Sequence, residues 1–342
     1  MSANESNFEP AAQGFQAPPP PPMPKEEPRP PRPAKLMIAG IVIFVVGLIF
    51  VLGTVTKLLS GGAGGGAFMC LVGVVLVALS FVRLPAVQQK EAPLSVVEKL
   101  GGIFFEPTRV FRNLREHPHW IDGLVILCVL TAAYNFAFVR RITPERIVDH
   151  TIQKMAEMGP PFAPPPDRLE AIKTQQLQAL KNPVQRIAGI LGSFSGLFIF
   201  SCIIAGLSTL GILLFGGRIN FWQALAANIW AAVPVVAIQK ILGLVILFLK
   251  SPDDLHPILN QETTLQDNLG ILLTPSEHPV LFVIASLFGL TSFYLVWLRA
   301  RGLHLSATRA SSSAGWGVSI LLFVLTLILV TIFTALFSSF IT

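Results

Sequence analysis

Long uncharged apolar runs are the feature that most constrains what this chain can fold into. A helix of about 20 such residues crosses the roughly 30 Å hydrocarbon core of a bilayer, because each residue adds about 1.5 Å. Stretches near that length recur along the sequence, and we interpret each one as a membrane span: 36–56, 64–82, 123–139, 187–215, 221–249, 279–298 and 315–340. The pattern predicts about seven spans.

The need to pair backbone polar groups in lipid decides the fold class of these runs. Hydrocarbon offers no hydrogen-bonding partner, and only a helix satisfies the N–H and C=O groups of one segment internally. A membrane β-barrel would need segments of about ten residues with alternating apolar and polar side chains, and the sequence lacks them. The expected fold is therefore all-α, a polytopic bundle of transmembrane helices.

Composition agrees with lipid as the main solvent. The chain is 52% hydrophobic and 13% charged, whereas a soluble domain carries about 25% charged residues. The net charge of +6 comes from Lys and Arg beside the apolar runs, not from a basic stripe interleaved with aromatic residues. We expect the lipid bilayer as a partner and no nucleic acid.

The segments outside the spans divide the chain into regions. Residues 1–35 are polar and rich in proline, which predicts a disordered cytoplasmic tail. Residues 36–82 are expected to form a two-span helical hairpin, and residues 121–340 a five-span membrane domain. Residues 141–186 interrupt that domain with a polar hairpin. The tail and this hairpin are candidates for binding protein partners.

A basic amphipathic segment precedes the five-span domain. Apolar residues recur at helical spacing through 94–120, and Arg109, Arg112 and Arg115 are interleaved with them. This pattern is typical of a helix that lies in the membrane interface with its arginines at the headgroups. The interfacial helix is a third candidate for contacts with partners.

Charge flanking the spans predicts the orientation. Excess Lys and Arg in short loops stays in the cytoplasm, and the first span usually dominates. The first pair of spans is flanked on both polar sides by basic segments. We therefore expect a cytoplasmic N-terminus, although the basic residues of 140–186 then lie on the other side.

The sequence contains no recognisable motif for catalysis or for a cofactor. None of the six histidines stands at the spacing of a zinc-binding motif. A serine hydrolase elbow reads Gly-Xaa-Ser-Xaa-Gly, whereas residues 192–196 read Gly-Ser-Phe-Ser-Gly. The glycine-rich stretch 61–66 lacks the Gly-Lys-Ser/Thr ending of a phosphate-binding loop. We expect no catalytic residue, no metal, no cofactor and no enzymatic activity.

Small residues in the fourth predicted span indicate close helix packing. Gly192 and Gly196 form G-x-x-x-G, the spacing that lets two helices approach closely in lipid, and Gly189 extends the same face. We expect these three glycines to be helix-packing residues.

Polar residues within the fifth predicted span are candidates for function, because burying them in lipid is costly. Asn228, Gln239 and Lys240 could line a polar path, since eleven residues return a helix to nearly the same face. Alternatively, the Lys240 side chain could extend to the interface, or the residue could mark the end of the span. No Asp or Glu lies within a predicted span, so a proton relay lacks its second half.

The segment before the third span resembles a known family. Residues 103–120 read IFFEPTRVFRNLREHPHW and lead directly into that span. This segment is similar to the start of prokaryotic Yip1-domain proteins, where an aromatic and Pro-Xaa-Arg-Val-Phe segment precedes Pro-Xaa-Trp and five spans. Gly216 and Gly217, followed by Phe221, Trp222 and Gln223, also resemble that family. The resemblance covers roughly residues 103–340.

The resemblance implies a five-span domain with a cytoplasmic N-terminal side, here in a bacterial cytoplasmic membrane. Eukaryotic members of the family act in membrane trafficking, contact small GTPases and form hetero-oligomers. The Asp-Leu-Tyr-Gly type signature of those members is absent from this sequence. A homo- or hetero-oligomer is nevertheless an expectation.

Two hypotheses of function follow from the sequence. The first is a non-enzymatic membrane protein that organises partners or lipids through the interfacial helix and the 141–186 hairpin. The alternative is a permease for small solutes or ions, with Lys240 in its path.

Overall fold

The computed structural model describes residues 34–55, part of 66–77, 92–157, 164–258, 260, 264–274 and 277–336. The predicted tail, except its last two residues, and most of the second predicted span lie outside the described residues. Within them the backbone is helical, with two isolated β-bridges and no strand. The all-α prediction is confirmed.

The helices of the described residues follow one another with short connections. Two short 3₁₀ turns, Pro252–Asp254 and Leu269–Leu272, lie between the eighth and ninth helices. The α-helices are α1 (Ala34–Val55), α2 (Val96–Phe105), α3 (Pro107–Glu116), α4 (Ile121–Ile142), α5 (Pro144–Glu157), α6 (Pro166–Lys181), α7 (Pro183–Leu214), α8 (Phe221–Leu249), α9 (Pro279–Leu287), α10 (Leu290–Ser306) and α11 (Ser312–Leu336).

Four of these helices contain segments that are long and apolar enough to cross a membrane. They are the whole of α4 and α8, residues 192–214 of α7 and residues 312–335 of α11. They correspond to the third, fifth, fourth and seventh predicted spans. The chain is therefore a multi-pass integral membrane protein, and the count of about seven spans stays a prediction.

Helix α8 is the centre of the bundle. It packs against α4, α7 and α10, and small residues along it let those helices approach closely. Its first turn is fixed by a capping box between Asn220 and Gln223. The helix continues through Pro234 and through Lys240 to Leu249. A helix that is apolar on every side, as this one is, belongs inside a bundle.

The sixth predicted span, 279–298, is wrong as a continuous helix. The structure breaks it at Phe288 and Gly289 into α9 and α10. The backbone groups freed by the break bond sideways: Leu269 N donates to Phe288 O at 3.3 Å, and Leu290 N donates to Asp267 O at 3.2 Å. Non-helical backbone is tolerated at membrane depth where protein supplies such partners.

The predicted interfacial helix at 94–120 is also divided. Pro107 starts a new helix, so the segment forms α2 and α3. The apolar side chains of α3, Val110, Phe111 and Leu114, are fully buried in the protein core. The reason is α10: Gly302 has no side chain, and the Phe111 ring fills that space. The apolar face of α3 therefore contacts protein, not lipid.

A buried ion pair joins α2 to α4. Lys99 is 2% exposed, and its Nζ lies 3.2 Å from Asp122 Oδ2 and 5.8 Å from the Trp230 ring centroid. Asn113 of α3 accepts a hydrogen bond from Leu94 N and donates one to Ala92 O. These contacts fix the α2–α3 pair against the bundle.

The polar hairpin between α4 and α7 consists of α5 and α6. Exposed ion pairs join the two helices, Lys173 with Asp149 at 2.6 Å and Lys181 with Glu145 at 2.5 Å. Exposed pairs stabilise little, about 0 to 1 kcal/mol each. The hairpin therefore depends mainly on the apolar contacts of α5 with the bundle, including buried Ile147.

Two histidines fasten α5 to the segment that follows α8. The rings of His150 and His256 meet edge to face at 4.9 Å. His256 Nδ1 accepts a hydrogen bond from Ile258 N, which requires that nitrogen to be unprotonated. Burial, then the charge of Lys154, lowers the pKa of His150 from its ordinary 6.5, with Arg146 lowering and Glu157 raising it. Burial, then His150 and Lys154, lowers the pKa of His256.

These shifts predict that acid loosens the contact between α5 and residues 251–258. A histidine whose pKa is depressed in the folded state contributes its full stability above pH 6.5, and that stability falls as the pH drops below 6.5 toward the folded value. Hydrogen exchange of both segments, corrected for intrinsic rates, should be faster at pH 5.5 than at pH 7.5.

The matched variants are His150→Phe, which keeps the ring contact without a charge, and His278→Gln on an exposed turn. The first should reduce the pH dependence, because only His256 then titrates at this contact, and the second should leave it unchanged. Equal protection at both pH values in the unsubstituted chain would contradict the prediction.

Candidate functional site

The break between α9 and α10 forms a polar site within the bundle. The carboxylate of Asp267 accepts a hydrogen bond from Thr291 N at 2.7 Å, so it caps the first turn of α10. Gln239 Nε2 of α8 donates to Thr291 Oγ1 at 2.9 Å. The three residues come from α8, from α10 and from the segment after α8, which packs back against α8.

The depth of this site follows from contacts along α8. Thr264 Oγ1 donates to Gly243 O, six residues before the end of α8, and Gln239 lies ten residues before that end. At about 1.5 Å per residue, these contacts lie roughly 9 and 15 Å inside the helix. Residues 264–272 thus pack back against α8, and Thr291 connects the Asp267 carboxylate with Gln239.

Lys240 lies beside this site on α8. Its side chain is 7% exposed, and Nζ lies 4.5 Å from the centroid of the Tyr134 ring. The Tyr134 hydroxyl donates to Asn260 O at 2.7 Å, which holds the ring in place. A cation over a desolvated aromatic ring gains about 2 kcal/mol, which offsets part of the cost of burial.

A cleft of about 1070 Å³ lies between α4, α7 and α8, and Lys240 lines it. Its walls are mostly apolar, and its outer end is bordered by the start of α5 and the end of α6. The residues that line it include Cys128, Asn135, Phe136, Arg140, Glu145, Arg186, Gly189, Ile190, Ser193, Leu197, Gln239 and Lys240.

The three polar residues predicted within the fifth span do not share one site. Gln239 and Lys240 both line the cleft. Asn228 instead faces α7, where its Nδ2 donates to Ser208 Oγ at 3.0 Å and to Ala224 O at 2.8 Å. Asn228 and Gln239 thus lie on nearly the same face of α8, but Asn228 contacts α7 and Gln239 contacts α10.

The glycines of the predicted packing face lie on an open side of α7. A Cβ placed at Gly189, Gly192 or Gly196 would meet no heavy atom of a described residue within 4 Å. The close contact of α7 with α11 is made further along, where a Cβ at Gly211 would lie 2.7 Å from the Val318 side chain. Close packing at the first three glycines stays a prediction and is not made among the described residues.

Five exposed arginines form a basic surface where α3 meets the end of α10. Its members are Arg109, Arg112, Arg115, Arg301 and Arg309. The predicted arginines of α3 are thus brought together with two that the sequence placed in a different loop. Three adjoining depressions of about 230, 370 and 570 Å³ lie on this surface, and Arg112 lines all of them.

Hydrogen bonds or ion pairs engage three of these five guanidinium groups. Arg115 donates to Thr308 O, Arg109 lies 3.7 Å from Glu106, and Arg301 donates to Thr108 Oγ1 and stacks at 5.7 Å over Trp297. Arg112 makes no hydrogen bond or ion pair with any described residue. The exposed ring of Trp316 borders the smallest of the three depressions.

Sequence reasoning missed Asp267, Thr291 and Tyr134 in the polar site. Only the isolated Gly289 within a predicted span hinted at the break, because glycine weakens a helix interior. The packing of residues 264–272 against α8 is a tertiary feature without a local pattern. Among the described residues, no group of three or more His, Cys, Asp or Glu side chains could hold a metal ion.

The cap on α10 gives a stability prediction. Asp267→Ala removes the acceptor of Thr291 N, and the loss of such a cap costs about 1 kcal/mol. Thermal unfolding in detergent should show that loss, and the amides of residues 289–293 should exchange faster. Asp254→Ala, at an exposed turn near the end of α8, is the matched control. Equal effects of the two substitutions would contradict a specific role for the cap.

Comparisons with known proteins bear on the membrane domain. A search of curated proteins and a search of solved structures returned no match. The family model of the Yip1 domain matches residues 101–335, which is more than half of the chain and includes α3, the basic surface, the cleft and the helix break. The expected resemblance is confirmed, and the chain belongs to the Yip1 domain family.

Proposed function

We propose that this chain is a non-enzymatic membrane-organising protein that concentrates anionic phospholipids at its basic surface. The observation that carries the proposal is the convergence of five exposed arginines from two distant parts of the sequence around Arg112, which has no partner among the described residues. Guanidinium groups bind phosphate with paired, charge-assisted hydrogen bonds, so a phosphodiester is the chemistry that this surface recognises.

The position of the basic surface supports a lipid ligand. It lies between the end of α10 and the start of α11, where the chain leaves one apolar helix and enters another. Trp297 and Trp316 border it, and tryptophan prefers the headgroup level of a bilayer. A cytoplasmic N-terminus would place this surface at the cytoplasmic leaflet of a bacterial membrane, where each basic residue near anionic lipid gains about 1 kcal/mol.

The other regions expected from the sequence fit this proposed function. The two N-terminal spans and the 141–186 hairpin would frame a five-span domain, and the protein would act through binding, without chemistry. Protein partners, in homo- or hetero-oligomers, would then meet on lipids gathered by the basic surface.

The test uses reconstituted full-length protein and phosphatidylglycerol that carries a photoreactive headgroup. Peptides from residues 105–116 and 297–316 should be labelled, and a phosphatidylcholine probe should label them less. Arg112→Gln with Arg301→Gln should reduce the labelling about fivefold for each arginine lost.

Arg168→Gln provides the matched control, because Arg168 is an exposed arginine of α6 outside the basic surface. It should leave the labelling unchanged. Equal labelling by the two lipids, or equal effects of all these substitutions, would contradict the proposal and favour a binding surface for acidic proteins.

A permease is the second candidate function, and the broken helix α9–α10 favours it. Transporters commonly place their sites at interrupted helices near the middle of the bilayer. Here Thr291 at the break connects Asp267 with Gln239, next to Lys240 in the cleft. Asp267 supplies an acidic group to this polar site, whereas no predicted span contains Asp or Glu.

Substitution of Lys240 tests this second candidate. If Lys240 lies in a path for small anions, Lys240→Leu should abolish flux into vesicles that contain the protein, because an anion in lipid requires a compensating charge. Lys250→Leu, at the exposed end of α8, is the control and should retain flux. Undiminished flux in the Lys240 variant would reject a role for this residue.

A further inference from the structure

The cleft between α4, α7 and α8 is a second site, distinct from the basic surface. Helix α4 begins beside the basic surface and ends at Arg140 and Ile142, about 30 Å away along its axis. The outer end of the cleft lies at that second end, near α5 and α6. The two sites therefore face opposite sides of the membrane.

Charge at the mouth of the cleft is positive. Arg140 and Arg186 line it and are exposed. Glu145 is the one acidic residue among the described residues of the lining, and it pairs with Lys181 at 2.5 Å. Deeper in, Lys240 adds a further cation. A ligand with an anionic group matches this distribution.

The length and walls of the cleft match an acyl chain. From Arg140 to Cys128 the wall of α4 covers twelve residues, about 18 Å, which is close to one leaflet of a bilayer whose core is roughly 30 Å thick. The rims carry exposed Phe136 and Ile190, so the cleft opens sideways to lipid. Gly189 and Ser193 line the wall that α7 contributes and leave room there, because glycine has no side chain and serine a small one.

We propose that the cleft binds one anionic phospholipid of this leaflet, with its phosphate at Arg140 and Arg186 and an acyl chain between α4 and α7. The lipid enters sideways from the bilayer, so no passage from water is needed. This inference goes beyond the basic surface and does not depend on it. In this arrangement the acyl chain contacts the open glycine face of α7, so that face needs no second helix to cover it.

Photolabelling locates the occupant of the cleft. The probes are phosphatidylglycerol and phosphatidylcholine with the same photoreactive group near the end of one acyl chain, added to vesicles that contain the full-length protein. Phosphatidylglycerol should label peptides of residues 128–140 and 186–197, and more strongly than phosphatidylcholine. Arg140→Gln with Arg186→Gln should reduce that preference about fivefold for each arginine lost.

A second variant separates binding from misfolding. Gly189→Leu places a side chain in the wall of the cleft, where a Cβ would meet no atom of the described part of the chain within 4 Å, so it should block labelling by both lipids and leave thermal stability unchanged. Arg112→Gln with Arg301→Gln should leave cleft labelling intact, which distinguishes failure here from failure of the proposed function.

Several outcomes would overturn the proposal. Equal labelling by both lipids, unaffected by Gly189→Leu, would show ordinary boundary lipid. Crosslinks between residues 186–197 of two chains, in place of lipid adducts, would show that a second copy covers the cleft. Loss of lipid labelling in the presence of a soluble organic anion would assign the cleft to a solute.

Discussion

The structure depends on the need to pair every backbone polar group that enters hydrocarbon. An unpaired N–H or C=O costs several kcal/mol in lipid, so the chain must be helical wherever lipid surrounds it. Helix α8 meets the requirement within itself along its length except at Pro234, which has no N–H to donate, and it can therefore serve as the centre of the bundle. The break at Gly289 meets it differently, because Asp267 and Phe288 exchange hydrogen bonds with the neighbouring backbone across the gap.

That difference explains what the sequence could predict. The run 221–249 obeys the local rule, and its helix has the predicted bounds. The run 279–298 has the same composition, yet its middle is held by residues 264–272, which belong to no apolar run. A residue such as Asp267 reads as part of a polar loop until the fold shows that this loop packs back against α8. Local patterns contain no information about such a partner.

The same limit applies to the arginines of α3. Their helical spacing with apolar residues was visible, and so was the basic character of the segment. The sequence could not show that Phe111 packs against Gly302, although this contact buries the apolar face and turns the arginines toward Arg301 and Arg309. An amphipathic pattern fixes which face is apolar, but the neighbour that covers this face is decided by tertiary packing.

Lys240 shows how the bundle tolerates a cation at depth. Taking an ammonium out of water costs several kcal/mol, and a cation–π contact with Tyr134 returns only about 2 kcal/mol. The rest must come from groups that reach the cleft, and the long side chain of lysine can extend toward more polar surroundings. The cleft supplies such surroundings through Asn135, Gln239 and Ser193. A mostly apolar cleft with a few polar groups in its wall and cations at its mouth suits an amphiphile, because an amphiphile carries both kinds of surface.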